Sequence, residues 1–377
     1  MNIDFKKLPS SQITQRDIAN HLGIRQATVS RALSGHPDIS EKTKRLILKT
    51  AETIGYKIEN NDAARRLIAR RHGNAPQNNV IALLIPGTLV QSPYYAKIID
   101  GILSSLVPYG YILAISNQVT NKAAEINLLK IINRGLVDGV ILIPNKDSEF
   151  INVLMKNQFS GNPLITIIMK DETESSLNII ADEENAAYIA ARHLLELGHR
   201  HFLMFHLWGG TFHEHRRLSV IRALREYGLD PDKYFHKYQM PWNWMNPTML
   251  MKQKSELHPQ QISDAEEFAN FIKNNPHITA IIALNDTCAI FARNSLENIG
   301  IKVPNDVSIV GHDDTEAMSD ESGQNMLTTI RMPLFEIGQL TAKKMIEQLE
   351  SRIIENTVII LPTELIIRSS TSNTRTK

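Results

Sequence analysis

Several features that would define the class of a protein at once are missing from this sequence. It holds one cysteine, Cys288, so no internal disulfide can form, and this favours a reducing compartment. No apolar run approaches the ~18–20 residues that span a bilayer. The N-terminal segment contains no hydrophobic stretch of signal-peptide length. We therefore expect a cytoplasmic protein without a membrane partner, and we exclude disulfide-stapled scaffolds.

What the sequence does contain is the composition of an ordinary folded chain. Its 377 residues are 42% hydrophobic and 21% charged, and this length exceeds the ~150 residues of an average domain. Residues 1–73 carry 14 Lys and Arg against 7 Asp and Glu, whereas the remainder carries 27 against 33. A basic head on an acidic body favours a polyanion as the partner of the head alone. A solvated, mildly basic surface is the plain alternative.

The head has the pattern of three short helices. Thr14 is a suitable cap for the first, and Gly23 ends it because glycine takes a left-handed turn cheaply. The second covers about 26–34; the third begins after Ser40 and ends at Gly55, with a predicted inner face of Leu46, Ile47, Ala51 and Ile54. Two helices joined by a tight glycine turn predict a helix-turn-helix, whose second helix can enter the major groove of DNA. A generic three-helix bundle is the alternative.

Beyond a polar linker within residues 58–78, the pattern changes to short apolar runs that alternate with amphipathic helices. Such runs predict parallel strands covered on both faces, and there are too many for one small sheet. We therefore predict an α-helical helix-turn-helix head and an α/β body of two doubly wound parallel-sheet lobes. The runs are residues 80–85, 111–115, 140–143, 164–169, 202–205, 280–284 and 307–310.

Motifs along the chain resemble those of the LacI/GalR family of bacterial transcription regulators. The head contains DIA at 17–19 and TVSR at 28–31. The body contains VDGV at 137–140, LGHR at 197–200 and LTTI at 327–330. VPNDVSIVGHD at 303–313 is similar to the family's VP-DVS-(I/V)-GYD stretch. The resemblance covers about residues 13–369 and implies a periplasmic-binding-protein-like body.

The resemblance also implies a domain plan. It places a helix-turn-helix DNA-binding domain at 12–57, a hinge helix and linker at 58–78, and an effector-binding and dimerisation domain at 79–377. Within the body, lobe 1 is expected at about 79–178 and 328–352, and lobe 2 at about 179–327 and 353–370.

The same resemblance assigns expected DNA contacts. Gln26 and Ala27 would open the recognition helix and face base edges, with Arg31 further along the same helix. Leu67 of the hinge would wedge into the minor groove, unless it is an ordinary apolar helix residue. The other expected DNA-binding residues, several of them holding phosphates, are Thr14, Arg25, Thr28, Ser30, Lys42 and Arg65.

Expected effector contacts follow from the matching strand ends and helix starts of the body. Each has a plain alternative: packing for the tyrosines, a surface ion pair for Arg217, and a helix cap for Asp313. The choice between Trp242 and Trp244 stays open. The expected residues are Tyr94, Tyr95, Lys170, Arg217, Trp242, Trp244, Asn285 and Asp313.

Histidines invite a metal hypothesis, which we weigh and set aside. No ligand spacing supports it, so we expect no metal and no cofactor, although His213 and His215 have the alternative of lining the cleft. The histidines considered are His199, His201, His206, His213 and His215.

The most consistent function is a ligand-responsive, sequence-specific transcriptional regulator. We expect a repressor of carbohydrate-utilisation genes, acting as a homodimer on pseudo-palindromic double-stranded operator DNA, with a sugar or sugar derivative as effector. Whether the effector releases or promotes DNA binding stays open. The alternatives are a solute-binding protein and an α/β enzyme acting on a sugar-like ligand. The chain has no P-loop, no GxSxG and no zincin spacing, so we expect no enzymatic activity.

Overall fold

The structure is a computed structural model, and the chain divides into two compact units, Met1–Asn78 and Asn79–Lys377. No helix in the described part of the chain is both long and apolar enough to cross a membrane. The residues that the structure describes are 14–33, 38–56, 78–86, 92–118, 132, 136–144, 163–169, 176–206, 211–239, 259–353 and 355–374.

The head consists of three helices, α1 (Gln15–Leu22), α2 (Gln26–Leu33) and α3 (Glu41–Ile54). The predicted glycine stops are confirmed, since Gly23 has φ 65° and Gly55 has φ 79°. The helices pack around one apolar core in which Ile18, Val29 and Ile47 have no exposed surface; the other buried members are Ala19, Ala32, Leu33, Ala51, Ile54 and Tyr56.

One predicted core residue of the head is wrong. Leu46 is 55% exposed, whereas Ile47, Ala51 and Ile54 are buried. These three residues are spaced by four and three along α3, so they already fill the inward stripe of the helix. Leu46 precedes Ile47 by one residue and is therefore rotated by about 100° toward solvent.

The body contains two six-stranded sheets, which define its two lobes. In lobe 1 the strand order is β11-β5-β4-β3-β1-β2, and all described pairs are parallel. Helices α4 and α10 belong to this lobe. Its elements are β1 (Val80–Pro86), α4 (Pro93–Leu106), β2 (Ile112–Gln118), β3 (Gly139–Leu142), β4 (Leu164–Ile167), β5 (Leu177–Ala181), α10 (Leu334–Ser351) and β11 (Val358–Leu361).

In lobe 2 the strand order is β12-β10-β9-β8-β6-β7, with β12 antiparallel to β10 and the other pairs parallel. The expected pair of parallel-sheet lobes is thus confirmed. The elements of lobe 2 are α5 (Glu183–Glu196), β6 (Phe202–His206), α6 (Thr211–Glu226), α7 (Pro231–Tyr234), β7 (Phe235–Gln239), α8 (Pro259–Asn274), β8 (Ala280–Ile282), α9 (Asp286–Glu297), β9 (Ser308–Asp313), β10 (Thr328–Arg331) and β12 (Glu364–Ile366).

Two segments lie in the lobe opposite to the one predicted. Strand β10 was expected in lobe 1 but joins lobe 2, where Thr328 pairs with Val310. Strand β11 was expected in lobe 2 but joins lobe 1, where Val358 pairs with Asn178. Both are strands of four residues, and so short a strand does not itself specify which of two similar sheets will accept its backbone hydrogen bonds. The partner strands, far away in sequence, decide this.

Helices α4 and α10 approach each other closely in lobe 1. A Cβ atom on Gly101 would lie 2.1 Å from the carbonyl oxygen of Phe335, and one on Gly338 would lie 2.2 Å from that of Ile98. Both positions therefore require glycine, since backbone cannot move aside as a flexible side chain can. This close packing fixes the start of α4, which carries Tyr94 and Tyr95.

Candidate functional site

The first candidate site is the outer surface of the head around α2. None of the described side chains that were expected to contact DNA is buried. Thr28 and Ser30 are half-buried, and the rest are exposed: Thr14, Arg25, Gln26, Ala27, Arg31 and Lys42. Arg65 and Leu67 lie outside the described residues.

This exposure follows from the apolar face of α2. Val29, Ala32 and Leu33 point into the core of the head, so the remaining face of a two-turn helix is turned outward. Arg25 directly precedes the helix, and its carbonyl oxygen accepts from the amide of Thr28 at 2.9 Å. A short helix that presents glutamine and arginine from its first turns has the donors and acceptors needed for base edges.

The start of α1 is held by an acid. The carboxylate of Asp17 accepts from the amide of Thr14 at 2.8 Å and from its hydroxyl at 2.7 Å. The predicted cap at Thr14 is thus realised largely through Asp17, which also places an anion in the first turn where the helix dipole favours it.

The second candidate site lies between the two lobes of the body. Asn285 follows β8 and Asp313 ends β9, both at carboxyl ends of parallel strands, where α/β sheets bind ligands. Helix α4 of lobe 1 faces them, because the Lys97 ammonium donates to the carbonyl oxygen of Asp314 at 2.7 Å. The expected cleft between strand ends is therefore formed by residues of both lobes.

Two tyrosines supply the lobe 1 side of this cleft. The rings of Tyr94 and Tyr95 are half-buried and meet edge to face, with centroids 5.3 Å apart. Burial raises the pKa of Tyr95 to about 12, with the charge of Asp313 adding to the effect. The pKa of Tyr94 is also raised, by burial and then by Asp313 and Glu183. Both hydroxyls therefore stay protonated and can donate hydrogen bonds.

A buried arginine, Arg216, provides the lobe 2 side. Its Nε donates to Glu183 Oε2 at 2.7 Å, and its Nη1 donates to the carbonyl oxygen of Leu284 at 2.8 Å. His312 Nε2 lies 3.2 Å from the same carboxylate oxygen. Glu183 is the first residue of α5, Arg216 lies on α6, and His312 lies on β9. Three elements therefore converge on the Glu183 carboxylate.

The electrostatics of this group follow from its burial. Burial alone would raise the pKa of Glu183, but Arg216 and His312 prevail and lower it to about 2. The pKa of His312 is lowered, by burial and then by Arg216. The cluster therefore consists of an arginine–glutamate ion pair with a neutral imidazole beside it.

Two adjacent acids at the end of β9, Asp313 and Asp314, have different surroundings. Asp314 accepts from Arg331 Nε and from Arg368 Nη2, each at 2.8 Å, so its carboxylate stabilises lobe 2. Burial raises the pKa of Asp313, with Asp286 as the next cause. Its backbone has φ 99°, a left-handed value unusual for a residue with a side chain. Asp313 ends a strand and does not cap a helix.

Asn285 has a structural task as well as a place in the cleft. Its side-chain oxygen accepts from the amide of Cys288 at 2.8 Å, which caps helix α9. The next residue, Asp286, accepts from Thr329 Oγ1 at 2.6 Å and from the amide of Thr315 at 2.7 Å. Burial nevertheless raises the pKa of Asp286 to about 7.

The structure does not bring Arg217 into this cluster. Its guanidinium pairs with Glu214 one turn earlier on α6, with Nε 2.8 Å from Oε2. The side chain of Arg217 is 29% exposed, against 6% for Arg216. Arg216 is the arginine whose charge acts on Tyr94, Glu183 and Asp313. The arginine beside Glu183 is thus Arg216, one residue before the arginine chosen from the sequence. Arg217 forms the surface ion pair that was given as its alternative.

Three residues of the cluster escaped the sequence analysis. Glu183 has the pattern of an acid in the first turn of a helix, and His312 had no role of its own within the motif at 303–313. The sequence held a signal that favoured Arg216 over Arg217. Glu214 stands three residues before Arg217, so these two residues can form an ion pair on the helix surface. Lys170, Trp242 and Trp244 lie outside the described residues.

Comparisons with known proteins agree with this architecture. The profile of the bacterial regulatory proteins, lacI family, matches residues 14–58, and that of the periplasmic binding protein-like domain matches residues 191–371. The chain is 25% identical to catabolite control protein A of Priestia megaterium over 95% of this chain and 99% of that protein. It is 23% identical to the HTH-type transcriptional repressor PurR of Aliivibrio fischeri (strain ATCC 700601 / ES114), over 96% and 98% of the two chains.

Solved structures show the same fold. The complex of transcriptional regulator CelR with cellobiose aligns with a TM-score of 0.63 at 20% identity, over 95% of this chain and all of that one. The lac repressor dimer bound to operator and the anti-inducer ONPF aligns with a TM-score of 0.61 at 21% identity, over 96% and 99%.

A helix-turn-helix head joined to a body of two parallel-sheet lobes defines a DNA-binding transcription regulator. Its head carries the domain of the bacterial regulatory proteins, lacI family, its body carries a periplasmic binding protein-like domain, and relatives that align along nearly the whole chain are transcriptional regulators. Its relatives are regulators and not enzymes, in agreement with the sequence analysis.

Proposed function

We propose that this protein is a repressor whose operator affinity responds to an uncharged, polyhydroxylated molecule of the carbohydrate class bound between the two lobes. The observation that carries the proposal is the pairing of the buried Arg216 with Glu183, whose side chain is only 12% exposed. In this proposal the cleft residues Tyr94, Tyr95, Asn285 and Asp313 contact the effector together with Arg216. The genes controlled would be those of carbohydrate use.

The charge of the cluster favours a neutral ligand. An arginine that recognises a phosphate or carboxylate supplies an uncompensated positive charge to a bidentate partner. Here Glu183 already neutralises Arg216 at 2.7 Å, and the lowered pKa of His312 leaves that imidazole uncharged. An anionic effector would therefore find Arg216 already neutralised and would have to rely on Lys97, whose ammonium donates to the carbonyl oxygen of Asp314.

The polar groups that remain are suited to hydroxyls. Tyr94 and Tyr95 keep their hydroxyl protons and present aromatic surface on which a sugar face can stack. Asp313 supplies carboxyl oxygens at the opposite side of the cleft. Cellobiose is the ligand of a regulator with the same fold, and this supports the assignment of the chemical class.

The head would act on DNA as part of a dimer. Two copies of α2 would enter successive major grooves of a pseudo-palindromic operator, with Gln26, Ala27 and Arg31 toward base edges. Thr14, Arg25, Ser30 and Lys42 would hold phosphates and set the register. The lac repressor dimer on its operator supports this arrangement. Action on the bacterial chromosome also implies a cytoplasmic location.

A matched ligand panel tests the effector class. Purified full-length protein is titrated with neutral sugars, with their phosphates and with the corresponding sugar acids, and thermal shift and calorimetry report binding. A ligand at a hundredfold excess over its Kd stabilises the folded state by about 2.7 kcal/mol. We expect binding by one or more neutral sugars and weaker or no binding by their charged derivatives. Binding restricted to phosphates or acids would overturn the proposed class.

Variants locate the binding. Tyr94→Phe removes a hydroxyl and keeps the ring, and Asp313→Asn removes a carboxylate and keeps the shape; each should weaken the effector about tenfold or more. Arg217→Ala is the matched control and should bind as the unaltered protein does. Equal losses in all three variants would place the effector elsewhere. Repeating the titration on the DNA complex gives the sign of the coupling between effector and operator.

A further inference from the structure

Three histidines converge at the amino ends of the lobe 2 strands. His201 directly precedes β6, His236 is the second residue of β7, and His277 lies in the turn before β8. One ring nitrogen from each lies within 4.8 Å of the others. No ligand spacing around His201 predicted a metal site, and His236 and His277 were not among the candidate ligands. The fold supplies the convergence that the sequence did not show.

The geometry is close to that of a tetrahedral metal centre. Zn–N bonds of about 2.0–2.1 Å place two ligand nitrogens about 3.3 Å apart at the tetrahedral angle. His201 Nδ1 and His236 Nε2 are joined by a hydrogen bond of 3.2 Å, and a metal ion would take the place of the shared proton at almost the same separation. The ring centroid of His277 lies 4.7 Å from that of His201 and 5.1 Å from that of His236. His277 is exposed on a turn, so a modest movement of its side chain would complete the set.

Two of the three rings favour the neutral form, which is the form that binds a metal. The pKa of His201 is lowered by burial, then by His277, His236 and the nearby Lys233. Burial, followed by His277, lowers the pKa of His236. Neutral imidazoles carry lone pairs for a cation, and three cationic rings in this space would repel one another.

We propose that His201, His236 and His277 bind one divalent transition-metal ion of the zinc class through three imidazole nitrogens, with a fourth position open to water. Three nitrogen ligands suit Zn²⁺, Ni²⁺ or Co²⁺, whereas Mg²⁺ and Ca²⁺ require oxygen. The site is separate from the effector cleft, because the strands that begin here end at the cleft. The five residues of β6 span about 16 Å at the usual rise. The inference does not rest on the proposed effector.

Metal binding to the tag-free full-length protein, stripped with chelator, tests this site. Zn²⁺ is titrated calorimetrically, and Co²⁺ is titrated by its visible absorption, whose intensity reports tetrahedral coordination. We expect one ion per chain. Loss of even an outer-sphere partner typically weakens a metal about 10–100-fold, so His236→Gln and His277→Gln should each lower affinity by at least about 100-fold. Absence of one-per-chain binding at micromolar Zn²⁺ would overturn the site.

Matched controls separate this site from adventitious binding. His215→Gln removes an exposed histidine that pairs weakly with Glu184 at 3.8 Å, outside the cluster, and should bind Zn²⁺ as the unaltered protein does. His277→Gln alters only an exposed turn, so its metal-free melting temperature should be unchanged, and a lost Zn²⁺ response then reports the ligand itself. Uptake of the same strength in all three variants would show that the ion binds elsewhere and would refute the proposal.

Discussion

The recognition surface of the head and the cleft of the body use polar residues in opposite ways. On the head, Gln26 and Arg31 lie on the outside of a short helix whose inner face is apolar. In the cleft, Arg216 and Glu183 lie inside the protein, and each depends on the other for the compensation of its charge. An exposed residue of α2 is therefore replaceable without harm to the fold, whereas Arg216 and Glu183 contribute to folding in addition to the recognition that we propose for the cleft.

This difference explains which regions tolerate change. The exposed side chains of α2 lie outside the core of the head, so the DNA specificity that we propose for them would be alterable one residue at a time. The buried ion pair of the cleft can be altered only as a unit, since removing one partner leaves an uncompensated charge. The predictions below test this contrast by perturbing each region.

The largest effect is expected from the two adjacent arginines of α6. Arg216→Ala should lower the free energy of unfolding by about 3–5 kcal/mol, because Glu183 would remain buried without its partner. Arg217→Ala removes only a surface pair with Glu214, and it should cost less than about 1 kcal/mol. Denaturant unfolding of the two variants measures the difference. Similar losses for both would contradict the buried pair, and Arg216→Ala combined with Glu183→Ala should recover part of the stability.

A pH effect is expected from Asp286. Its folded pKa of about 7 lies above the ordinary value of 3.8, so its contribution to stability is fully present below pH 3.8 and is lost as pH rises through about 7. The loss between about pH 5 and about pH 8 should be on the order of 2 kcal/mol. Asp286→Asn should remove this part of the pH dependence in urea midpoints at the two pH values.

Glu183 provides a control, because its pKa is shifted in the opposite direction from that of Asp286. Its folded pKa of about 2 lies below the ordinary 4.5, so its contribution is present above pH 4.5 and is lost only as pH falls through about 2. Glu183→Gln should therefore leave the slope between about pH 5 and about pH 8 unaltered by its own titration. An unchanged slope in Asp286→Asn would remove Asp286 as the cause.

A smaller effect is expected at the head from Arg31→Ala. Loss of a bidentate contact to guanine costs about 1–3 kcal/mol, so affinity for a selected operator should fall about 10–100-fold. Affinity for random DNA should change little. The operator is first selected from a random pool, and fluorescence anisotropy then compares both DNAs, with the exposed Arg45→Ala as control. Equal losses on the two DNAs would assign Arg31 to phosphate instead of base contact.

The smallest effect is expected from Lys42→Ala. A phosphate contact carries no sequence information, so operator and random DNA should weaken by the same modest factor. The slope of log affinity against log salt should become shallower by about one. A salt titration of the unaltered and variant proteins measures this. An unchanged slope would place Lys42 away from the phosphates.

The sequence predicted the local features well and the long-range ones less well. Helix ends at Gly23 and Gly55 depend on a few neighbouring residues, and they were correct. Strand β7 was missed because FHKYQ is an edge strand with alternating half-exposed residues and no apolar run. The identity of the buried arginine depends on Glu183, thirty-three residues earlier, and on β9, nearly a hundred residues later. Such contacts are set by the assembled lobes and not by spacing along one helix.

The path of the chain between the lobes has a consequence for how such a sensor can be divided. The backbone leaves lobe 1 after β5, returns to it after β10, and leaves again between β11 and β12. Neither lobe is encoded by one continuous stretch of the gene. A truncation that isolates one lobe would remove a strand from the sheet of the other. Recombination can therefore transfer the body only as a whole, whereas the compact head can be exchanged separately.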